Sequence, residues 1–170
     1  MQVRAHAAPV FGALRALRTV RTVQAVKGTD TTTLRGNWGD HLEAARADLE
    51  AYAILNRGRA EAVLLSGEAW RRGCAKVAVP EAKQQRMTSP EVRKTLRDVR
   101  LAAHIGGQHT LIPRLYAGMR TVSGDSDELE AVIAPYEWVR QALPELGEVE
   151  LGDAAQQRYR RGAGASAADS

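Results

Sequence analysis

The sequence predicts an all-α protein, a small irregular helical bundle with an extended basic N-terminal arm and a flexible C-terminal tail. Only 5% of the 170 residues are aromatic although 44% are apolar, so the core would be built mainly from Ala, Val and Leu. Ala, Leu, Arg and Glu are abundant and β-branched residues rarely cluster, which favours helix. The third observation is a well-marked helix start at Ser89.

Length and composition predict one domain with tails. A chain of 170 residues is long enough for one core of ordinary size and short for two. We expect a basic arm and linker over residues 1–37, a helical domain over 38–144 and a polar, low-complexity tail over 145–170. The tail composition buries too little surface to fold alone. No apolar run approaches the length of a membrane span.

The N-terminal arm is basic and contains no acidic residue before Asp30. Its Arg15, Arg18 and Arg21 alternate with apolar residues at helical spacing, which is typical of an organelle transit peptide. Three interpretations stay open: a cleaved presequence, a retained arm that inserts into a complex or lies on an anionic membrane, and an ordinary helix.

The charge distribution argues against a general nucleic-acid-binding domain. The chain has a formal net charge of +4, and because the arm holds five cations the rest sums to about −1. A nucleic-acid reader usually carries a basic face on its folded part.

The first half of the body is predicted to form two helices after a polar linker over residues 29–39. One helix begins at Asp40 and ends near Arg57, where a glycine follows. The other covers residues 59–72 and carries Trp70 as a core residue or an interface anchor.

The helix that begins at Ser89 is the best supported one. Ser89 can cap the first turn, Pro90 fits the first helical position, and Glu91 favours the positive helix end. The helix should end or bend between Gly106 and Pro113, because the glycines weaken it and proline removes an amide donor.

A last helical segment is predicted to begin after Asp125, with a kink or restart at Pro135. Tyr136 carries its apolar pattern onward, and Trp138 is either a core residue or a docking anchor.

The sequence offers no catalytic, cofactor or metal signature. His104 and His109 are five positions apart, unlike the spacing of four in zinc-binding helices. We interpret them as structural or interface histidines, with proton handling near a quinone or acidic partner as the alternative. Cys74 is the only cysteine, which excludes an intramolecular disulfide and is typical of a passive residue.

The run AHIGGQHTLIPR at residues 103–114, with VIAPY at 132–136 and the RxxR spacing of Arg97 and Arg100, resembles one known family. That family is subunit seven of mitochondrial ubiquinol:cytochrome c reductase, respiratory complex III. The resemblance covers about a third of the 170-residue chain.

The resemblance implies a non-catalytic structural or assembly subunit in the respiratory chain. Such a protein would lie peripherally on the matrix side of the mitochondrial inner membrane, without a cofactor. Its partners would be other subunits, cytochrome b among them, and anionic lipid, with nucleic acid ranked behind these. The candidate contact residues are Arg15, Arg18, Arg21, Trp70, Arg97, Arg100, His104, His109, Arg114, Tyr136 and Trp138.

Two other functions stay open. One is a small RNA-associated or ribosome-associated protein that uses the basic arm as an extension, for which RNA affinity would depend steeply on salt. The other is a soluble helical regulator from a bacterium with a GC-rich genome, because the bias towards Ala, Arg and Gly fits that origin equally well.

Overall fold

A computed structural model of the chain describes residues 26–47, 50–114, 128–146 and 149–150. Its strands are β1 (Val26–Asp30), β2 (Ala51–Asn56), β3 (Arg59–Ser66), β4 (Gln84–Arg86), β5 (His109–Pro113), β6 (Leu129–Pro135) and β7 (Val149–Glu150). Its helices are α1 (Thr31–Gly36), α2 (Trp38–Arg46), α3 (Gly67–Cys74), α4 (Ser89–Lys94), α5 (Leu96–Gly106) and α6 (Tyr136–Ala142). Short 3₁₀ turns lie at Glu81–Lys83 and Pro144–Leu146.

The architecture is a three-layer α/β fold, so the all-α prediction is wrong. One mixed sheet has the strand order β4-β5-β6-β3-β2-β1-β7. The central pairs β2–β3, β3–β6 and β5–β6 are antiparallel, whereas β1–β2, β4–β5 and β1–β7 are parallel. No helix in the described part of the chain is long and apolar enough to cross a bilayer.

The sheet lies between two hydrophobic cores. On one face, α1, α2, α4 and α5 pack on side chains such as Ile54, Leu64 and Ile133. On the other face, α3 and α6 pack on Val63 and Val132. Neighbouring residues of one strand therefore point into different cores, and both sets are buried.

Three predicted helical segments contain strands instead. The segment predicted to run as a helix from Asp40 holds α2 and then β2, and residues 59–72 hold β3 before α3 begins at Gly67. The last predicted helix is β6 as far as Pro135, and only then α6. The expected linker over residues 29–39 forms the end of β1, α1 and the start of α2.

Arg57 and Gly58 form a hairpin turn and not the end of a helix. Asn56 pairs with Arg59, and the two residues between them have φ of 50° and 79°. Positive φ at both central positions is the geometry of a two-residue type I′ turn, whose twist matches that of the flanking strands.

Two predictions for the Ser89 helix are confirmed. A helix begins at Ser89, although the cap is Thr88, which forms a reciprocal capping box with Glu91. The helical region ends at Gly106, where Gly107 takes up the left-handed conformation with φ of 64°. The two helices α4 and α5 meet at a bend at Thr95, which the sequence did not predict.

The described chain contains an internal repeat. The order β-α-α-β-β-α occurs in residues 26–74 and again in residues 84–142. From β1 to the end of β2, each residue has its counterpart 58 positions later, in the segment from β4 to the end of β5. The strand pairs show this offset, because Val26 pairs with Ala51 and Gln84 pairs with His109 in the same way. The bends that join α1 to α2 and α4 to α5 are counterparts too, both with φ of −109°.

After the hairpins the offset becomes 69, because the second hairpin is longer. Both hairpins shift register at equivalent points, after Ile54 in one repeat and after Ile112 in the other. Counterparts that are identical in both repeats are Arg35 and Arg93, Asp40 and Asp98, Ala44 and Ala102, Ala45 and Ala103, Ile54 and Ile112, Glu61 and Glu130, Ala62 and Ala131, Val63 and Val132, Glu68 and Glu137, and Arg71 and Arg140.

The repeats are related by a pseudo-twofold axis at the centre of the sheet. Leu64 of β3 pairs with Ile133 of β6, which is its own counterpart, so the axis passes through this pair. A single chain therefore builds the arrangement that a symmetric dimer builds from two.

Packing beside this axis is tight at Gly67, the first residue of α3. A Cβ at this position would lie 2.6 Å from both the Cβ and the carbonyl oxygen of Leu129. We expect Gly67→Ala to lower the free energy of unfolding by about 1–3 kcal/mol, measured by urea denaturation. Gly36→Ala is the matched control, since nothing lies within 4 Å there. It should leave stability unchanged or raise it by up to about 1 kcal/mol. Equal effects of the two changes would contradict the packing described here.

Candidate functional site

The C-terminal ends of α1 and α4 meet at the pseudo-twofold axis and bring arginines together. Arg93 Nε donates a hydrogen bond to the carbonyl oxygen of Arg35, 3.2 Å away. Arg35 and Arg93 are counterparts, and a residue that contacts its own counterpart must lie near the axis. Both side chains are exposed and line a surface depression of about 610 Å³, together with Lys94.

A second depression of about 540 Å³ lies beside the first and adds two further cations. Arg57, from the first hairpin, and Arg97, from the start of α5, line it around Thr31 of α1. The cationic patch is defined as Arg35, Arg57, Arg93, Lys94 and Arg97. Among the described residues none of the five forms an ion pair.

Two carboxylates close to the patch serve as helix caps. Asp30 accepts hydrogen bonds from the amides of Thr32 and Thr33 at 2.9 Å. Glu91 accepts from the amide and hydroxyl of Thr88 at 2.8 and 2.7 Å, which lowers the pKa of its carboxyl group. These charges stabilise the helix starts.

A buried ion pair joins the two repeats beneath the patch. Glu61 of β3 and Arg100 of α5 are each 8% exposed, and their charged atoms are 3.2 Å apart. Asn56 donates a hydrogen bond to the other carboxylate oxygen of Glu61 at 2.9 Å. Glu130, the counterpart of Glu61, has its pKa raised by burial and faces the charge of Arg46 on α2. The helix in each case belongs to the other repeat.

A separate cavity lies where β5 begins, between the end of α5 and the start of α6. It has a volume of about 530 Å³. The cavity is lined by aromatic and aliphatic residues, with charged residues at its mouth. The lining includes Arg59, Lys83, His104, His109, Tyr136 and Trp138. This volume is within the range of small-molecule sites in proteins.

His109 is a largely buried residue in the wall of this cavity. It is 3% exposed, and its Nδ1 accepts a hydrogen bond from Trp70 Nε1 at 3.1 Å. The edge of its ring meets Trp138, with centroids 4.8 Å apart and planes at 90°. Burial lowers the pKa of His109 to about 4, so the imidazole is neutral at physiological pH.

The structure places the predicted contact residues at different sites. His104, His109, Tyr136 and Trp138 line the cavity, with Trp70 behind His109. Arg97 belongs to the cationic patch, whereas Arg100 is buried against Glu61. Arg114 lies beyond the other end of β5 and pairs with Glu128 at 3.2 Å. Arg15, Arg18 and Arg21 lie outside the described residues.

By residue type, Cys74 and the histidines are candidate reactive or metal-binding groups in the described part of the chain. Burial raises the pKa of the Cys74 thiol, which disfavours the nucleophilic thiolate. No group of three or more His, Cys, Asp or Glu side chains in the described residues is placed to hold a metal ion.

Sequence reasoning missed Arg35, Arg57, Arg93 and Lys94 of the patch. The signal that could have found the first and third is the recurrence of an aliphatic residue followed by arginine, Leu34-Arg35 and Val92-Arg93, at the repeat offset. Both aliphatic side chains are fully buried, and this orientation of the helix places the following arginine on the surface.

Comparison of the chain with known protein families, with curated proteins and with solved structures finds no match.

The pKa of His109 gives a prediction for stability. The folded-state pKa near 4 lies below the unfolded value of 6.5, so the unfolded chain binds more protons between these pH values. The free energy of unfolding should therefore fall by about 2 kcal/mol through this residue as pH falls from about 7.5 to 5. Urea denaturation of wild type and His109→Gln isolates the effect, because all other groups titrate in both proteins. Parallel pH profiles would contradict a neutral, buried His109.

Proposed function

We propose that this chain is a non-enzymatic protein that binds double-stranded DNA through the cationic patch. The observation that carries the proposal is a set of five exposed cations, at and beside the pseudo-twofold axis, that make no ion pair within the described residues. Phosphate contacts of Arg and Lys supply most of the affinity of DNA-binding proteins.

The symmetric arginine pair within the patch favours a duplex over a single strand. Arg35 and Arg93 are counterparts across the axis, and the two backbones of a DNA duplex are also related by twofold axes. A protein axis aligned with a DNA axis lets equivalent side chains contact equivalent phosphates on the two strands. A single strand offers no such pair.

The net charge of the body argues against nucleic acid, but net charge does not describe how charges are distributed over the surface. Several acidic residues are used internally: Glu61 pairs with Arg100, Glu91 caps α4, and Asp30 caps α1. The cations of the patch are not neutralised in this way. The basic arm at residues 1–25, outside the described part, would add sequence-independent phosphate contacts.

The role expected from the family resemblance stays a prediction. A structural subunit of respiratory complex III, on the matrix side of the inner membrane with cytochrome b as its partner, is not tested by any comparison. Residues 103–114, which suggested it, run from the end of α5 through β5 at the centre of the fold. No contact among the described residues favours this role over DNA binding.

Fluorescence anisotropy with a labelled DNA duplex of arbitrary sequence tests the proposal. Five phosphate contacts should give a slope of log affinity against log salt of about −4 or steeper, at about −0.9 per contact. The double change Arg35→Gln/Arg93→Gln should make the slope shallower by about 2 units and weaken binding at every salt concentration.

Arg71→Gln/Arg140→Gln is the matched control. It also removes two exposed arginines related by the pseudo-twofold axis, but these lie on α3 and α6, on the opposite face of the sheet. It should leave the slope unchanged. Equal effects of the two double changes, or a wild-type affinity that does not depend on salt, would show that the patch does not bind DNA.

A further inference from the structure

Within the described residues, the aromatic residues that line the cavity beside His109 belong to the second repeat only. The counterparts of its aromatic residues are small: Ala51 for His109, Gly67 for Tyr136 and Ala69 for Trp138. The first repeat forms the same strands and helices without any of these rings. The β-α-α-β-β-α unit itself therefore does not require these rings, and their convergence on one cavity is a feature of the second repeat.

Beside the axis, the equivalent helix and strand positions of the two repeats hold residues of different size. In one, Gly67 lies against the backbone of Leu129, so closely that a Cβ would clash, and the space is closed. In the other, the counterparts are Tyr136 and Ala60, and both line the open cavity. Leu129 on β6 closes the site at Gly67. At the equivalent site, the small Ala60 on β3 and the aromatic Tyr136 at the start of α6 leave the cavity open.

His109 offers a hydrogen-bond donor to the cavity. Because His109 Nδ1 accepts the indole proton of Trp70, the proton of the neutral ring is on Nε2. Nε2 has no hydrogen-bond partner among the described residues, and His109 lines the cavity while only 3% exposed. An acceptor on a bound molecule could take a hydrogen bond from this N–H group, which would orient the molecule at this point.

The mouth of the cavity is positive. Arg59 and Lys83 line it, and neither forms an ion pair within the described residues, although Lys83 donates a hydrogen bond to the carbonyl oxygen of Gly106. The two carboxylates of the lining are paired, Glu61 with Arg100 and Glu137 with Arg140. The mouth therefore favours an anionic group.

We propose that this cavity binds a small planar aromatic molecule that carries an anionic group. The ring would lie between the aromatic walls formed by Tyr136 and Trp138, with an acceptor on His109 Nε2 and the anionic group at Arg59 and Lys83. Aromatic contacts give such a site preference for flat rings, and charge-assisted hydrogen bonds orient the ligand. The site is separate from the cationic patch, so it stands or falls independently of DNA binding.

Naphthoate is a suitable probe, and the three tryptophans of the chain report where it binds. In ¹H–¹⁵N spectra of the full-length protein, the indole signals of Trp70 and Trp138 should shift with a dissociation constant on the order of 1 mM or tighter. The signal of Trp38, which packs in the core on the other face of the sheet, should not shift. Naphthalenemethanol, without the charge, and cyclohexanecarboxylate, without the flat ring, should bind at least about fivefold more weakly.

Two changes test the assignment of residues. Arg59→Gln/Lys83→Gln should weaken naphthoate binding on the order of fivefold or more, while Arg86→Gln, an exposed cation on β4 outside the lining, should not. In Ala60→Leu, the strand residue at the cavity becomes leucine, as at its counterpart position, Leu129. This change should abolish the naphthoate-induced shifts of the Trp70 and Trp138 signals and leave the Trp38 signal unchanged. The proposal is overturned if naphthoate leaves Trp70 and Trp138 unshifted, or if both control compounds bind as well as naphthoate.

Discussion

The antiparallel pairing of β3 with β6 is the constraint on which the rest of the structure depends. It joins the repeats into one sheet and passes through the pair Leu64–Ile133 at the pseudo-twofold axis. Both side chains are fully buried beneath the helices of one face, while neighbours such as Val63 point into the opposite core. Without this pairing each half would be a three-stranded sheet with an exposed apolar edge strand, which is prone to aggregation. With it, both cores become continuous across the axis.

Joining the repeats in one chain allows counterparts to diverge, and the divergence separates two kinds of surface. Arg35 and Arg93 are the same residue in both repeats and lie at the axis, where a symmetric ligand would bind. Lys94 and Arg97 have glycines as counterparts, so most of the patch outside the axis is not repeated. The difference is larger at the cavity, since none of its aromatic side chains has an aromatic counterpart. The pair Arg35 and Arg93 thus marks the axis, whereas the aromatic residues found in one repeat mark a separate site.

The helix at Ser89 and its end at Gly106 could be predicted because caps and glycines act locally, within a few residues. The strands could not, since 51–55, 62–65 and 131–134 are buried on both faces and read as continuous apolar runs of Ala, Leu, Val and Ile, with one Tyr, without alternation. Such runs are indistinguishable from buried helix by periodicity. The site residues Trp70, His109, Tyr136 and Trp138 were singled out one by one, but their meeting depends on strand order. Trp70 and His109 are 39 positions apart and become neighbours only through the sheet.

The position of the cationic patch follows from helix electrostatics as well as from symmetry. A helix is stabilised by acidic groups at its first turn and by basic groups at its last turn. α1 and α4 both follow this rule, with Asp30 and Glu91 at their starts and Arg35, Arg93 and Lys94 in their last turns. Because the C-terminal ends of the two helices meet at the axis, the distribution that stabilises each helix also gathers its cations at one place on the surface. The acids lie at the helix starts, where they accept hydrogen bonds from backbone amides. A positive surface is therefore the expected result of joining two such helices end to end, and it requires no excess of positive charge in the chain as a whole.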